Sequence, residues 1–236
     1  MRIIHLYHSG FIVELGDETL LFDWYPQTKD KLAADLALIR PDKKLYVFVS
    51  HSHGDHYLPS IWRLAERLPQ ADPTFIVDEM VAADAPDDDA LDVVPCEPEQ
   101  IYEIDERMEV TTLNSTDLGV AFCVDVAGKT IYHAGDLSVW WWPERDVPLN
   151  QTSQKTCGYY LEILEDKHID VAFLPITPRA GSEGDRGIEL FMRQVGADVV
   201  VPMHYGDDRA GALRLAGSAR LAPWLDRMRF EDCFEL

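Results

Sequence analysis

Residues 47–60 read VFVSHSHGDHYLPS: an apolar, β-branched run, then three histidines and an aspartate within six residues, then a proline near what reads as a helix start. Imidazole nitrogen and carboxylate oxygen are donors that zinc, manganese and iron accept. A loop after a strand can aim donors at these offsets toward one point, which an unbroken helix cannot. The stretch therefore predicts a strand-to-helix loop that binds metal through His51, His53, Asp55 and His56.

Outward from this loop, the first 24 residues alternate short apolar runs, with Gly16-Asp17 as a hairpin turn. A helix is expected at about 30–39, stopped by Pro41, followed by the strand KLYVFVS. After the loop, LPSIWRLAERLP carries Ile61, Trp62, Leu64, Ala65 and Leu68 at helical spacing. Between 73 and 133 come the strand-like runs TFIVD, LDVVP, QIYEI, MEVTTL, VAFCVDV and TIYHA, with AGK at 127–129 as a turn. The last hundred residues alternate helix GYYLEILEDKH, strand IDVAFLPI, helix GIELFMRQVG and strand DVVVPMH, then helical pieces to the end. With no Pro/Gly/Ser-rich linker, this order reads as one α/β domain over 1–236 with two sheet-containing halves.

Composition narrows the function classes. A chain of 236 residues at 47% hydrophobic can bury a sizeable core. The net charge of −21 repels polyanions, and no Lys/Arg cluster offsets it, so nucleic acid is not an expected partner. No apolar run spans a bilayer and MRIIHLYHSG is not a signal peptide, so no membrane partner is expected and the expected location is the cytoplasm. The acidic run DAPDDDALD lacks the spacing of a calcium loop and reads as a solvated turn. Cys96, Cys123, Cys157 and Cys233 lie far apart and are expected to be reduced packing residues.

Two further segments end a strand in a metal-competent side chain: Asp136 in TIYHAGDL and His204 in VVVPMHYG. An H-x-H-x-D-H loop, a later G-D after a strand and a later H after another strand resemble the metallo-β-lactamase superfamily. The resemblance runs from HSGFIVE and LLFDW to PMHYG. Within it, the H-S-G-F opening, HAGD and PMHY look most like the branch of small metal-dependent hydrolases that includes L-ascorbate-6-phosphate lactonase.

The resemblance implies an αββα four-layer sandwich, the metallo-β-lactamase fold, holding one or two divalent ions, zinc or manganese/iron. It would place His51 and His53 on one ion, Asp55, His56 and His204 on the other, and Asp136 between them. A metal-bound hydroxide would then cleave a small-molecule ester, lactone or phosphate ester, with Asp55 and His8 as the residues assisting catalysis. The chain departs from the pattern by having no histidine between His56 and His133. In the corresponding stretch, Asn114–Gly119, Asp117 is the best chemical substitute as a ligand. A turn-capping interaction or a carboxylate orienting a ligand histidine are the other readings of Asp117.

For substrate contacts, Trp140 and Trp141 of LSVWWWPERD and Arg179 of LPITPRAGSEGDRG are the candidates, an aromatic wall and an anion-pairing fork respectively. His5, His133 and His168 read as structural. The expected partner is a small-molecule substrate, and a homo-oligomer is compatible with the sequence. Two other functions compete: a non-catalytic or regulatory relative with an incomplete metal site, and a nuclease, which the charge disfavours.

Overall fold

The alternating apolar runs at the start of the chain form an antiparallel meander of β1 (Arg2–Tyr7), β2 (Gly10–Leu15) and β3 (Glu18–Phe22). The computed structural model describes all residues from Met1 to Leu236. The chain divides into two units, 1–97 with 231–236, and 98–230. The fold is α/β, with one mixed sheet in each unit.

In the first unit, α1 (Lys29–Leu36) starts at the Thr28 cap, whose side chain accepts from the Lys31 amide. Then β4 (Lys44–Val49), β5 (Thr74–Asp78) and β6 (Asp92–Cys96) add in parallel to β3. The strands β4 and β5 are apolar on both faces, as parallel strands covered on both sides are. On one face Leu21, Val47, Val49, Phe75 and Val77 pack with Ile61, Trp62 and Leu64. The stretch expected to be one helix after the histidine loop is a 3₁₀ turn over Pro59–Arg63 followed by one turn of α2 (Leu64–Arg67). A second short helix, α3 (Glu79–Ala82), is capped by Asp78 accepting from the Met80 amide.

In the second unit, β7 (Ile101–Asp105), β8 (Met108–Asn114), β9 (Val120–Val126) and β10 (Lys129–His133) form an antiparallel meander. The expected turn before Lys129 is present: Ala127 and Gly128 take φ of 50° and 72°, the left-handed pair a two-residue hairpin turn requires. Then α4 (Val147–Leu161), β11 (Val171–Pro175), α5 (Arg186–Gln194), β12 (Val199–Met203) and α6 (Arg209–Ala216) follow, with β10, β11 and β12 parallel.

Three expectations need correction. The helix α4 begins eleven residues before GYYLEILEDKH, at Val147, and gives way at Glu162 to a 3₁₀ turn. It buries only Asn150, Cys157 and Leu161, so its polar sequence carries no apolar stripe to read. The chain ends in a strand rather than helical pieces: β13 (Cys233–Glu235) pairs antiparallel with β1. Cys96, Cys123 and Cys157 are buried free thiols, but Cys233 is exposed on this edge strand and is not a packing residue.

Candidate metal centre

In the first unit, the parallel register of β3 and β4 puts Phe22 beside Phe48, and the Asp23 amide donates to the Phe48 carbonyl at 2.9 Å. Asp23 is thereby brought to the start of the histidine loop. It is buried, takes φ of 38°, and accepts from the Ser50 amide at 2.8 Å and the Ser50 hydroxyl at 2.7 Å. Gly10 allows this approach, because a Cβ there would meet the Asp23 carbonyl oxygen at 3.0 Å.

These contacts fix two imidazoles. His56 Nδ1 lies 2.7 Å from Asp23 Oδ2, the oxygen that also accepts from the Ser50 hydroxyl, so the ring carries its proton on Nδ1 and its lone pair on Nε2. The Ser50 hydroxyl spends its hydrogen on Asp23, so it accepts from His51 Nδ1 at 2.9 Å, and His51 likewise presents Nε2 as an acceptor. Burial, then the neighbouring His56, pushes the His51 pKa down to about 3, so the ring is neutral at ordinary pH. His51 Nε2 and His53 Nδ1 are 3.0 Å apart, near the roughly 3.0–3.4 Å that separates two nitrogens bound at about 2.1 Å to one octahedral or tetrahedral ion.

The loop's other carboxylate, Asp55, is exposed and lies 3.2 Å from Nε2 of the buried His8. The hydrogen bond from His8 is the main cause that holds Asp55 well below the usual carboxylate range. Donor atoms of His8, Asp55 and His56 fall within 4.8 Å of one another. His8 takes φ of 54°, a strained conformation for a non-glycine residue of the kind that collects at functional sites. His5 stacks on Phe11 and lies against the His8 carbonyl, a supporting position.

In the second unit, Asp136 follows β10 and His204 follows β12, at the C-terminal ends of parallel strands on either side of β11. The turn into Asp136 uses Gly135 at φ of 50°, and the Gly135 amide donates to His133 Nδ1 at 3.2 Å. His204 takes φ of 65°, and its Nε2 lies 3.5 Å from Asp136 Oδ1. Both side chains are buried. Imidazole and carboxylate convergence of this kind, in each unit, fits divalent ions of the zinc, manganese and iron type.

Asp117 is exposed, and its amide donates to the Ser115 hydroxyl at 3.1 Å. Trp140 lies 5.3 Å from the His204 ring and donates Nε1 to the Asp136 carbonyl. Trp141 has the Arg186 guanidinium 4.0 Å over its ring. Arg179 is exposed on the 3₁₀ segment Pro178–Glu183. His168 is exposed and paired with Asp198. Asp23, Ser50, Thr116 and Arg186 were not singled out from sequence. Asp23 carries no local signal in the sequence; the β3–β4 register is what brings it to the histidine loop.

No family model matches the chain. Among curated proteins, a UPF0173 metal-dependent hydrolase from Methanopyrus kandleri is 27% identical, over 87% of this chain and 84% of its own. A namesake from Korarchaeum cryptofilum is also 27% identical, over 87% and 83%. Among solved structures, the metallo hydrolase Igni18 from Ignicoccus hospitalis superposes with a TM-score of 0.67 at 17% identity, covering 100% of this chain and 98% of that one. The metallo-β-lactamase fold protein YhfI from Bacillus subtilis superposes at 0.59 and 13% identity, covering 91% and 90%. The chain has the metallo-β-lactamase fold and is similar along most of its length to proteins named as metal-dependent hydrolases.

Proposed function

We propose that the protein is a metal-dependent hydrolase that cleaves a small-molecule ester, lactone or phosphate ester. The observation that supports it best is the pair of buried imidazoles, His51 and His56, locked by Ser50 and Asp23 in the tautomer whose acceptor nitrogen is Nε2. A histidine needed only for packing has no use for a carboxylate that fixes its tautomer; a ligand histidine does. In this reading the metal ligands, for one or two ions of zinc or manganese/iron, are His51, His53, Asp55 and His56 in the first unit and Asp136 and His204 in the second.

A divalent ion held there supplies Lewis acidity and a water that ionises near neutral pH. The chain's own groups then orient the reaction. Asp55, kept ionised by its hydrogen bond from His8, would orient a water by accepting a hydrogen bond from it, and His8 holds that carboxylate in place. Trp140, beside His204, forms an apolar wall for the substrate, and Arg179 pairs with an anionic group on it. The branch resemblance makes phosphorylated lactones the first substrates to try.

The test is hydrolysis of a panel of nitrophenyl esters, lactones and phosphate esters by the native protein, by chelator-treated protein and by Asp136→Ala. Turnover is expected only in the native protein and on metal restoration, with the circular dichroism of Asp136→Ala unchanged. Full turnover in the metal-free protein or in Asp136→Ala would overturn the assignment. Turnover absent with less than about one equivalent of metal after growth in metal-rich medium would instead favour the regulatory reading, which the lack of a histidine in Asn114–Gly119 motivates.

A further inference from the structure

The stretch Asn114–Gly119 has a task of its own. Thr116, on the loop between β8 and β9, reaches the segment that carries Asp136. Its hydroxyl accepts from the Ser138 amide at 3.0 Å and donates to the Ser138 carbonyl at 2.7 Å, with the Asp136 carbonyl at 3.3 Å. A side chain here pairs with both backbone groups of one residue, as a neighbouring strand would. The Asp136 carbonyl is meanwhile held by the indole N–H of Trp140 at 3.0 Å. The segment also packs against Gly187 of α5, where a Cβ would fall 2.1 Å from the Ser138 hydroxyl oxygen.

The residues from Asp136 to Trp140 are thus held by Thr116, by the Trp140 indole, by the packing on Gly187 and by the Trp140 amide, which donates to the Ser153 hydroxyl at 3.0 Å, all within the second unit. Asp136 stands next to the flexible element of this loop, Gly135 at φ of 50°, so nothing in its own backbone preference fixes where its carboxylate points. We infer that Thr116 is a positioning residue for the donor Asp136: its hydroxyl, with the Trp140 indole, locks the loop so that the carboxylate faces His204 and the metal meets a prearranged ligand. This rests on the proposed metal-dependent function, and it concerns binding of the ion rather than turnover. Prearrangement matters because a ligand that must be ordered on binding costs affinity, and removing groups that orient ligands typically weakens metal binding about 10- to 100-fold.

The experiment is titration of the metal-free full-length protein with Zn²⁺ against a chromophoric chelator, for wild type, Thr116→Val, Thr116→Ser and Trp140→Phe, alongside the Tm of each metal-free variant. Thr116→Val keeps the side-chain shape and removes the hydroxyl. It is expected to weaken the tighter-binding ion about tenfold, whereas Thr116→Ser stays within about twofold of wild type. Trp140→Phe, which removes the indole donor, is expected to weaken binding in the same direction.

A merely structural role lowers Tm without moving zinc affinity. Equal affinity in wild type and Thr116→Val would overturn the inference while leaving the metal-dependent function standing. If Thr116→Val does not fold, unchanged affinity in Trp140→Phe or a tenfold loss in Thr116→Ser would overturn it. Wild-type protein that binds no zinc, manganese or iron would overturn this inference and the proposed function together.

Discussion

Asp23 serves Ser50 and His56 at once, and through Ser50 it fixes His51. An acidic residue after an apolar strand is ordinary, and 26 positions separate it from Val49, so only the β3–β4 register reveals what it is for. The histidines were legible because three imidazoles in one loop are improbable as surface decoration; their partners were not, because adjacency across parallel strands leaves no local mark. Asp117, whose chemistry suits a ligand, lies on an exposed turn with its amide held by Ser115. The tautomer lock on His51 carries a pH dependence. In the metal-free protein burial depresses the ring's pKa from 6.5 to about 3. The unfolded chain takes up a proton near 6.5 and the native chain does not until about pH 3, so unfolded molecules bind one more proton across that window. Stability contributed at this position is therefore full above 6.5 and is lost as pH falls toward 3, with a limiting slope of about 1.4 kcal/mol per pH unit. Denaturant unfolding of the metal-free protein between these pH values should show a shallower decline in His51→Gln than in wild type; parallel declines would show that the native ring is protonated.

Elements divide by how they bury their surface. The parallel strands β4, β5, β11 and β12 are buried at nearly every position and announce themselves as largely apolar runs. Helix α5 was legible because it packs one stripe, Ile188, Phe191 and Met192. Helix α4 buries too little to show a stripe, and β13 is three residues long, below the length at which alternation can be seen. On β10, Tyr132 stacks on Phe191 of α5 with ring centroids 4.9 Å apart, fully buried. Its hydroxyl has no hydrogen-bond partner, and burial raises its pKa well above 10. A buried donor left unsatisfied carries its desolvation penalty with no return, so Tyr132→Phe, which keeps the stacked ring, is expected to stabilise the protein by about 1 kcal/mol. Urea unfolding at neutral pH measures this. A loss of stability of similar size would mean that the hydroxyl has a polar partner, such as a buried water.

At the scale of the whole chain, the dominant quantity is 42 acidic residues against 21 basic ones. Many basic groups are already committed to short local pairs: Lys31 to Asp35, Lys44 to Asp72, Lys129 to Asp170 and Lys167 to Asp125. Pairing removes equal numbers of each sign, so the excess of −21 remains and is compressed when the chain folds. Its self-repulsion opposes the compact state over distances that salt can shorten: the screening length falls from about 30 Å at 0.01 M to about 8 Å at 0.15 M. Exposed ion pairs weaken with salt as well, but each is worth only about 0–1 kcal/mol, whereas relief of the net charge acts on every acidic residue in excess. Repulsion is therefore expected to win, and the Tm of chelator-treated protein should rise by a few degrees over that range of sodium chloride, equally with potassium chloride. A rise confined to divalent salts would report site binding instead of screening, and a fall would mean that the paired lysines outweigh the excess acid. The same field opposes a polyanionic substrate, so a gel-shift with RNA at low salt, where attraction would be strongest, should show no complex. A complex there would return the nuclease reading to contention, because it would require a basic surface strong enough to overcome a net charge of −21.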